Sequence, residues 1–243
     1  MSVGSTVEID GLTGLPIGQV VDPTSAAWPN AKILTGRTVQ LEALNPAAHS
    51  DDLWNAVGGE HNAALWLYMS EGPFSARLDF DAAVQNAVQH DDPVFFAIID
   101  RQTGKSTGWC SLLNIRPRHR SVEVGYLLFS SHLQRTIGAT ETLYLLTKYA
   151  FDELGYLRYE WKCNALNAKS RAAAGRFGFV FEGVFRRHMI IKGRNRDSAW
   201  FSITAEEWPA IRRGLESWLD PANFDEDGKQ RRKLSDLIHK EQA

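Results

Sequence analysis

The stretch over residues 121–183 constrains the fold of this chain more than any other part of its sequence, because strand patterns and helix patterns alternate along it. Residues 122–129 form a short apolar run rich in β-branched and aromatic side chains, interrupted by Glu123. This run predicts a strand that is covered on both faces. A helix pattern follows over about 140–154, and Gly155 is a suitable end for it.

The second half of the same stretch repeats the order of strand and helix. Residues 158–165 predict another strand, and Asn167 begins a shorter helix that ends at Gly178. A helical crossover of this length makes the two strands parallel and the connection right-handed. The sequence therefore predicts a parallel strand pair in the middle of a sheet.

The remaining segments predict strands and helices on either side of this pair, which together give an α/β fold. We expect a mixed, mostly antiparallel sheet with a central, splayed parallel pair and helices on both faces. The further strands are predicted over 38–44, 94–100 and 107–116 and in a hairpin of 184–192 and 197–204, and the further helices over 46–57 (capped by Asn45), 78–90 and 206–219.

The two ends of the chain differ from this central part. Residues 1–33 carry several glycines and prolines with little periodicity and predict an arm, in which Leu15, Ile17 and Trp28 favour some packing on the body. Residues 34–219 are predicted to form one domain. Residues 220–243 are highly charged and are expected to be a solvated helix or a frayed end.

Composition excludes several classes of function. The chain has 243 residues and a formal net charge of −2, so a general surface for nucleic acid is not expected. No apolar run is long enough to span a membrane, and the first residues lack a basic segment and an apolar signal core. Cys110 and Cys163 each lie in a predicted strand, which disfavours a disulfide and favours the cytoplasm. The histidines are scattered, so no metal site is predicted.

Several motifs in this order and spacing resemble the GNAT superfamily of N-acyltransferases, in the branch that contains ribosomal-protein N-terminal acetyltransferases. They are the V-E-V-G-Y strand, the Q-R-T-I-G-A-T-E loop, N-A-K-S, G-F-x-x-E-G and the closing R-D-S-A-W-F-S. The resemblance extends over about residues 36–219. It implies an acyltransferase domain with acetyl-CoA as co-substrate, bound between the two parallel strands with its diphosphate on the loop before the long helix.

The loop before the long helix suits a diphosphate, because a helix N-terminus offers backbone N–H donors and a favourable dipole. Aligned on the family pattern, Ile137 stands where the first glycine is usual, which narrows the permitted backbone angles, while Gly138 lies next to it. An ordinary polar connection is the alternative. The resemblance implies the following cofactor-binding residues: Gly125, Tyr126, Leu127, Leu128, Gln134, Arg135, Thr136, Ile137, Gly138, Ala139, Thr140, Asn167 and Ser170.

Glu123 is the candidate general base. A carboxylate inside an apolar strand is costly unless it is paired or used, and desolvation would raise its pKa towards the range of a base at neutral pH. Members of the family often use a glutamate on this strand in that way. The alternative is an ion pair with one of the arginines expected on neighbouring strands, namely Arg116, Arg118, Arg158 or Arg186.

Asn167 and Ser170 lie where the second parallel strand passes into its helix. Both are natural helix caps, and the family's matching asparagine binds the pantetheine arm, so both roles can coexist. Many relatives carry a tyrosine on this helix that protonates the CoA thiolate, but here Ala174 occupies that position. A thiolate of pKa about 8.5 is a tolerable leaving group. Ser170 or a water could assist it.

The acceptor is expected between the aromatic segment 66–74 and the terminal hairpin. The predicted contacts are Trp66, Tyr68 and Phe74 on one side and His188, Asp197 and Trp200 on the other. The alternatives are that the aromatic side chains only cap the core, and that Asp197 pairs with Arg187 or Arg194.

Together these features predict an N-acetyltransferase that moves an acetyl group from acetyl-CoA to a primary amine of a small molecule or peptide. Direct attack in a ternary complex is expected, with backbone N–H groups near Gly125 and Tyr126 polarising the thioester carbonyl. The protein is expected to be a monomer or homodimer. Because Ile137 and Ala174 depart from the family pattern, a module that binds acyl-CoA without catalysis is the alternative function. A third hypothesis, a purely structural interaction protein, would require that the loop before the long helix and Glu123 match the family by coincidence.

Overall fold

The structure is a computed structural model that describes residues 7–30 and 32–242. The strands are β1 (Val7–Ile9), β2 (Pro16–Gly18), β3 (Leu34–Thr35), β4 (Val39–Ala43), β5 (Val94–Asp100), β6 (Ser106–Arg116), β7 (Ser121–Phe129), β8 (Arg158–Asn164), β9 (Val180–Ile191) and β10 (Arg194–Thr204). The helices are α1 (Pro46–Val57), α2 (Arg77–Ala87), α3 (Ile137–Lys148), α4 (Ala168–Arg176), α5 (Trp208–Leu219) and α6 (Leu234–Gln242).

An eight-stranded sheet organises the molecule, in the order β3-β4-β5-β6-β7-β8-β10-β9. Neighbouring strands are antiparallel except for β7 and β8, which are parallel. The predicted mixed sheet with one central parallel pair is confirmed. The alternation of strand and helix patterns identified it because the crossover through α3 leaves room for a parallel return.

Apolar side chains pack on both faces of this sheet. In β5, Phe96 and Ile98 belong to a core with α3 and α5, whereas Ala97 and Ile99 belong to a second core with α1 and α2. Successive strand residues point to opposite faces, so the two helix pairs cover opposite sides of the sheet. The first core continues through β7, β8 and β10, while α1 and α2 pack over the β5–β6 part of the other face.

Local capping explains where helices begin. Asn45 accepts a hydrogen bond from the backbone N–H of Ala47 and so caps α1, as predicted. The long central helix begins at Ile137, three residues before the predicted start, because the Thr136 side chain accepts from the backbone N–H of Ala139 and closes the first turn. After Lys148 the chain continues as a π-helical turn over Tyr149–Glu153.

The C-terminal segment is not a solvated helix or frayed end, and this prediction was wrong. Helix α6 buries Leu234, Leu237 and Ile238 against the body. These residues are spaced i, i+3 and i+4, which places them on one helix face. A Cβ on Gly214 of α5 would lie 2.7 Å from a side-chain carbon of Ile238, so the glycine lets the two helices approach closely.

The arm meets the body through its backbone more than through the apolar residues that were expected to pack. Leu15, Ile17 and Trp28 are 63%, 44% and 47% exposed, whereas Ala26 is buried. The N–H groups of Ala26 and Ala27 donate to backbone carbonyls of the body. Strands β1 and β2 form a separate exposed hairpin. The division of the chain at residues 33/34 and 219/220 stays a prediction.

Candidate active site

The parallel pair separates soon after it forms. The β7–β8 ladder joins Ser121–Val124 to Arg158–Trp161, and in the described chain the later residues of these two strands have no partner on each other. The sheet therefore opens into a wedge between the second halves of β7 and β8. Gly125, Tyr126, Leu127 and Leu128, four of the predicted cofactor-binding residues, form the β7 wall of this wedge.

A bulge in β7 adds to the opening. Ser111 of β6 is in register with Gly125 and Trp109 with Leu128, so Tyr126 and Leu127 together oppose the single residue Cys110, and β7 has one extra residue here. Tyr126 has a φ of 47°, which is uncommon for a residue other than glycine and turns the backbone locally. The main chain at Tyr126 and Leu127 thus lies outside the β6 ladder and, in the described part of the chain, also lacks a partner on β8.

The loop that leads to α3 begins at the open end of β7. Arg135 is exposed with a φ of 66°, and the Gln134 side chain donates to the backbone oxygen of Phe129 at 2.9 Å. Ile137 and Gly138 open the helix, where backbone N–H groups have no intrahelical acceptor. Ile137 therefore does not prevent formation of a helix N-terminus directed towards this loop.

Three residues of this segment pack or form hydrogen bonds within the protein. Gly138 is buried, and a Cβ there would lie 2.9 Å from a methyl carbon of Val39, so its small size serves packing. Ala139 is also buried, and its N–H is taken by the Thr136 hydroxyl. The buried Thr140 hydroxyl accepts from Arg176 at 3.2 Å. Ligand contacts are thus available from the backbone of this turn rather than from these side chains.

Glu123 lies beside the point where the strands part, on the face that also bears α1 and α2. The residue is 5% exposed, and its Oε2 accepts from Lys162 Nζ at 2.6 Å and from Asn114 Nδ2 at 2.6 Å. Burial raises the pKa of Glu123, while Lys162 and Asn114 oppose this shift. An ion pair exists, as the alternative hypothesis held, but its partner is Lys162. Arg158 instead pairs with Glu160 and Glu182.

Lys162 and Asn114 were missed from the sequence. Lys162 is in register with Trp200 on β10, and its ammonium lies 4.5 Å from the centroid of the Trp200 ring. The same ring lies 4.7 Å from that of Phe185 and 5.9 Å from that of His188. We call the surface formed by Glu123, Lys162, His188 and Trp200 the acceptor face.

The hairpin residues of the predicted acceptor site have different surroundings. His188 shares a hydrogen bond of 2.9 Å with Ser198, and burial together with the charges of Lys162 and Arg196 lowers its pKa. Asp197 accepts from the backbone N–H of Arg187 and from the Asn195 side chain, so its carboxylate fixes the bulge of the hairpin. It does not pair with the side chains of Arg187 or Arg194 in the described chain.

The aromatic segment 66–74 contacts the hairpin through the backbone of Trp66, whereas the Trp66 ring and Tyr68 have other partners. Trp66 is buried, its indole N–H donates to the backbone oxygen of Val57, and its ring packs on Phe74, Phe80 and Trp109. Its ring therefore belongs to the core, whereas its backbone oxygen accepts from Lys192 at the hairpin tip. The half-buried Tyr68 donates to the backbone oxygen of Leu166 at 3.3 Å.

Asn167 and Ser170 are found as helix caps at the start of α4. The Asn167 side chain accepts from the backbone N–H of Ser170 at 3.1 Å, and the Ser170 hydroxyl accepts from the Trp161 indole at 3.0 Å. Ala174 is fully buried on the inner side of α4. The position where many relatives carry a tyrosine is thus part of the core here.

Within residues 7–30 and 32–242, no helix has both the length and the apolar character needed to cross a membrane. The same described residues contain no group of three or more His, Cys, Asp or Glu side chains placed to bind a metal ion.

Comparison with known proteins gives consistent matches. A model of the acetyltransferase (GNAT) domain matches residues 41–180. A GCN5-related N-acetyltransferase from Brucella melitensis has a TM-score of 0.87 at 42% identity, covering 89% of this chain and 98% of that one. The Bacillus subtilis protein named "Putative ribosomal N-acetyltransferase YdaF" is 29% identical over 153 residues, 63% of this chain and 83% of that protein.

A more distant structure shows the fold alone. It is the Salmonella typhimurium acetyl transferase described as modifying the N-terminal serine of the 50S ribosomal subunit protein L7/L12. Its TM-score is 0.60 at 21% identity, covering 71% of this chain and 99% of that one.

Proposed function

The chain belongs to the acetyltransferase (GNAT) family, and on that premise we propose that it transfers an acetyl group from acetyl-CoA to a primary amine bound at the acceptor face. It is an acyl-CoA-dependent N-acetyltransferase. The observation that carries the proposal is the position of Glu123, a buried carboxylate beside the opening of the β7–β8 ladder.

The wedge suits the chemistry of acetyl-CoA. The pantetheine arm contains amide groups, and an unpaired strand edge such as that of Gly125, Tyr126, Leu127 and Leu128 can hydrogen-bond them as a strand would. The diphosphate suits the N-terminal turn of α3, where Ile137 and Gly138 present backbone N–H groups and Arg135 adds positive charge. Asn167, at the start of α4, remains our candidate for a further contact with the arm.

Glu123 is proposed to take the proton that the acceptor amine must lose before it attacks the thioester. Its raised pKa places proton acceptance closer to neutral pH than for an ordinary carboxyl group. We propose that the bulged main chain at Gly125 and Tyr126 polarises the carbonyl under attack. An acyl-enzyme is disfavoured, because Cys110 and Cys163 are both buried and burial raises the pKa of each thiol.

The leaving thiolate has no tyrosine on α4 to protonate it. Ser170 accepts a hydrogen bond from Trp161, and its hydroxyl, which also contacts the Cys163 thiol, is an O–H donor at the start of α4. We therefore retain Ser170 as the side chain that would assist departure of CoA, with a water as the alternative.

The charge of the hairpin favours a particular kind of acceptor. The β9–β10 hairpin, including its turn, carries five Lys and Arg residues and two acidic residues over 180–204. A polycation such as a polyamine would be repelled by this surface, whereas a peptide with one amine and neutral or acidic neighbours would not. We propose a peptide amine. Tyr68, Phe74, Asp197, His188 and Trp200 remain candidate contacts, and Trp66 would contribute through its backbone link to Lys192.

A panel of acceptors tests this function. Purified protein is incubated with acetyl-CoA and, separately, with an acidic and a basic N-terminal peptide, a lysine peptide and a polyamine, and release of free thiol is followed. We expect turnover with the acidic peptide to exceed that with the polyamine. Calorimetric binding of acetyl-CoA with no turnover on any amine would favour the alternative, a binding module without catalysis, and absence of acetyl-CoA binding would overturn both.

A further inference from the structure

Lys162 occupies the place where the wedge begins. It is the first β8 residue beyond the part of the strand that pairs with β7, which ends at Trp161. Because it lies between Trp161 and Cys163, which face the first core, its side chain projects from the acceptor face. The side chain is 14% exposed. Lys162 is thus a primary amine at the site proposed for an acceptor amine.

The surroundings of its ammonium match the needs of an acceptor. Glu123 Oε2 lies 2.6 Å from Lys162 Nζ, and the Trp200 ring supplies an aromatic surface at 4.5 Å. A carboxylate that can take a proton and an aromatic face that stabilises a cation are what an incoming amine would require there. The ion pair of Glu123 and Lys162 therefore already places a primary amine against the proposed base.

We propose that Lys162 is itself an acetylation site, modified by its own active site when no external acceptor is bound. This inference rests on the proposed function, since it uses the same thioester and the same base. Glu123 takes one proton from the Lys162 ammonium, and the Nζ lone pair then forms a bond to the acetyl carbon. The bond from that carbon to sulfur breaks, the CoA thiolate leaves with the electron pair, and the second nitrogen proton passes to it. Glu123 returns its proton to solvent.

The modification has a consequence for the site. An acetylated Lys162 is a neutral amide, so the ion pair with Glu123 is lost and Asn114 remains as a partner of that carboxylate. The added acetyl group also fills space at the acceptor face. The modified protein is therefore expected to be inactive towards external amines.

Lys192 provides an internal control for non-enzymatic acetylation. Burial lowers the pKa of Lys192, which increases the fraction of free amine available to react with a thioester. It lies at the hairpin tip and donates to the backbone oxygen of Trp66. If acetylation were only chemical, Lys192 would react at least as fast as the ion-paired Lys162.

The test uses the full chain incubated with acetyl-CoA and no acceptor, with acetylation of each lysine mapped by peptide mass spectrometry over time. We expect Lys162 to gain one acetyl group faster than Lys192. Glu123→Gln should slow this reaction by about 10²-fold or more. Glu160→Gln alters a neighbouring carboxylate on the same face, whose charge makes only a minor contribution to the raised pKa of Glu123, and should have a much smaller effect. Lys162→Arg keeps a positive charge for Glu123 and should abolish the modification.

Two results separate failure of this inference from failure of the proposed function. If the protein acetylates a peptide but Lys162 stays unmodified, or reacts no faster than Lys192 and independently of Glu123, the inference is overturned and the function stands. If calorimetry finds no binding of acetyl-CoA, the function and the inference fall together.

Discussion

Glu123 is a carboxylate in an apolar strand whose burial and whose two hydrogen-bond donors act on its pKa in opposite directions. Burial has the larger effect and raises the pKa, whereas Lys162 and Asn114 lower it. Because its pKa is raised, this carboxylate accepts a proton more readily than an exposed glutamate. The same contacts hold the carboxylate in one position at the opening of the wedge.

Replacement of Glu123 by glutamine is expected to keep acetyl-CoA affinity and to lower kcat by about 10²–10⁴-fold, because a base acts in the chemical step and not in cofactor binding. Calorimetry and steady-state kinetics measure the two quantities. Glu160→Gln is the matched control, since Glu160 is in register with Glu123 on β8 and pairs with Arg158. Normal turnover by the Glu123 variant would assign Glu123 to structure and place the base elsewhere.

The pH profile expected of the wild-type protein follows from the raised pKa of Glu123. The proposed base works as a carboxylate, so kcat/KM is expected to fall as pH falls through the pKa of Glu123. Because that pKa is raised, the acid limb is expected above the range of an ordinary carboxyl group. The Glu123→Gln variant should lose this limb, and a limb that persists in it belongs to another group.

Single residues show what the sequence could reveal about the site. Glu123 was recognisable because a charge inside an apolar strand is unusual. Lys162 was not, since it alternates in β8 with Trp161 and Cys163 and shares its face with Glu160 and Asn164, and such a row of polar side chains usually marks a solvated face. Its contact with Glu123 depends on the register of two parallel strands, which the sequence does not specify residue by residue. Asn114 reaches the same carboxylate from β6, the antiparallel neighbour on the other side of β7.

At the scale of elements, Glu141 joins the central helix α3 to the turn between β3 and β4 and to the start of β4. Its carboxylate is buried and accepts from the backbone N–H groups of Arg37, Thr38 and Val39 at 2.6–3.0 Å. The Thr38 hydroxyl donates to it as well. A Cβ on Gly36 would lie 2.5 Å from this side chain, so glycine leaves room for the connection.

Glu141→Ala is expected to destabilise the fold by about 3 kcal/mol or more, because it leaves three backbone donors without their charged acceptor. Glu141→Gln keeps one oxygen in place and should cost less. Urea unfolding measures both. Glu71→Ala, at an exposed position, is the control and should stay within about 0.5 kcal/mol of wild type. Equal stability of Glu141→Ala and wild type would contradict the role given to this carboxylate.

The predicted elements were mostly found, because their hydrophobic periodicity reflects burial on the sheet. Helix α6 shows the limit of this approach. Leu234, Leu237 and Ile238 follow the charged run 225–233, so composition favoured a solvated segment. What decides the outcome is the apolar surface of α5 beside Gly214, and that surface exists only in the folded protein.

Leu237→Ala is expected to cost about 2–5 kcal/mol of unfolding free energy, since it removes a buried side chain between α5 and α6. Lys240→Ala, on the exposed side of the same helix, should have little effect. Thermal or urea unfolding of the two variants makes the comparison. If Leu237→Ala unfolds like wild type, α6 contributes little to the stability of the body.

At the scale of the whole molecule, Tyr149 ties the N-terminal arm to the body. Its hydroxyl accepts from the backbone N–H of Asn30 at 3.1 Å and donates to the Asn30 backbone oxygen, at 2.9 Å, or to its side-chain oxygen, at 2.8 Å. Ala26 and Ala27 add two backbone hydrogen bonds nearby. The exposed β1–β2 hairpin lies beyond this attachment.

Tyr149→Phe keeps the buried ring and removes both hydrogen bonds, each worth about 1 kcal/mol. We expect hydrogen exchange of residues 26–30 to accelerate roughly five- to thirty-fold, with a smaller change in the rest of the sheet. Tyr144→Phe, which loses a contact with Glu216 away from the arm, serves as control. Unchanged exchange at residues 26–30 would show that the backbone contacts alone attach the arm.

The short β7–β8 ladder has a consequence for the abundance of the protein. A ligand that completes the wedge and does not bind the unfolded chain adds free energy to folding by mass action, about 2.7 kcal/mol when its free concentration is 100 times its Kd. The supply of acetyl-CoA would then set not only the reaction rate but also the fraction of molecules open to proteolysis. Where this metabolite is abundant, the enzyme would accumulate without any change in its synthesis.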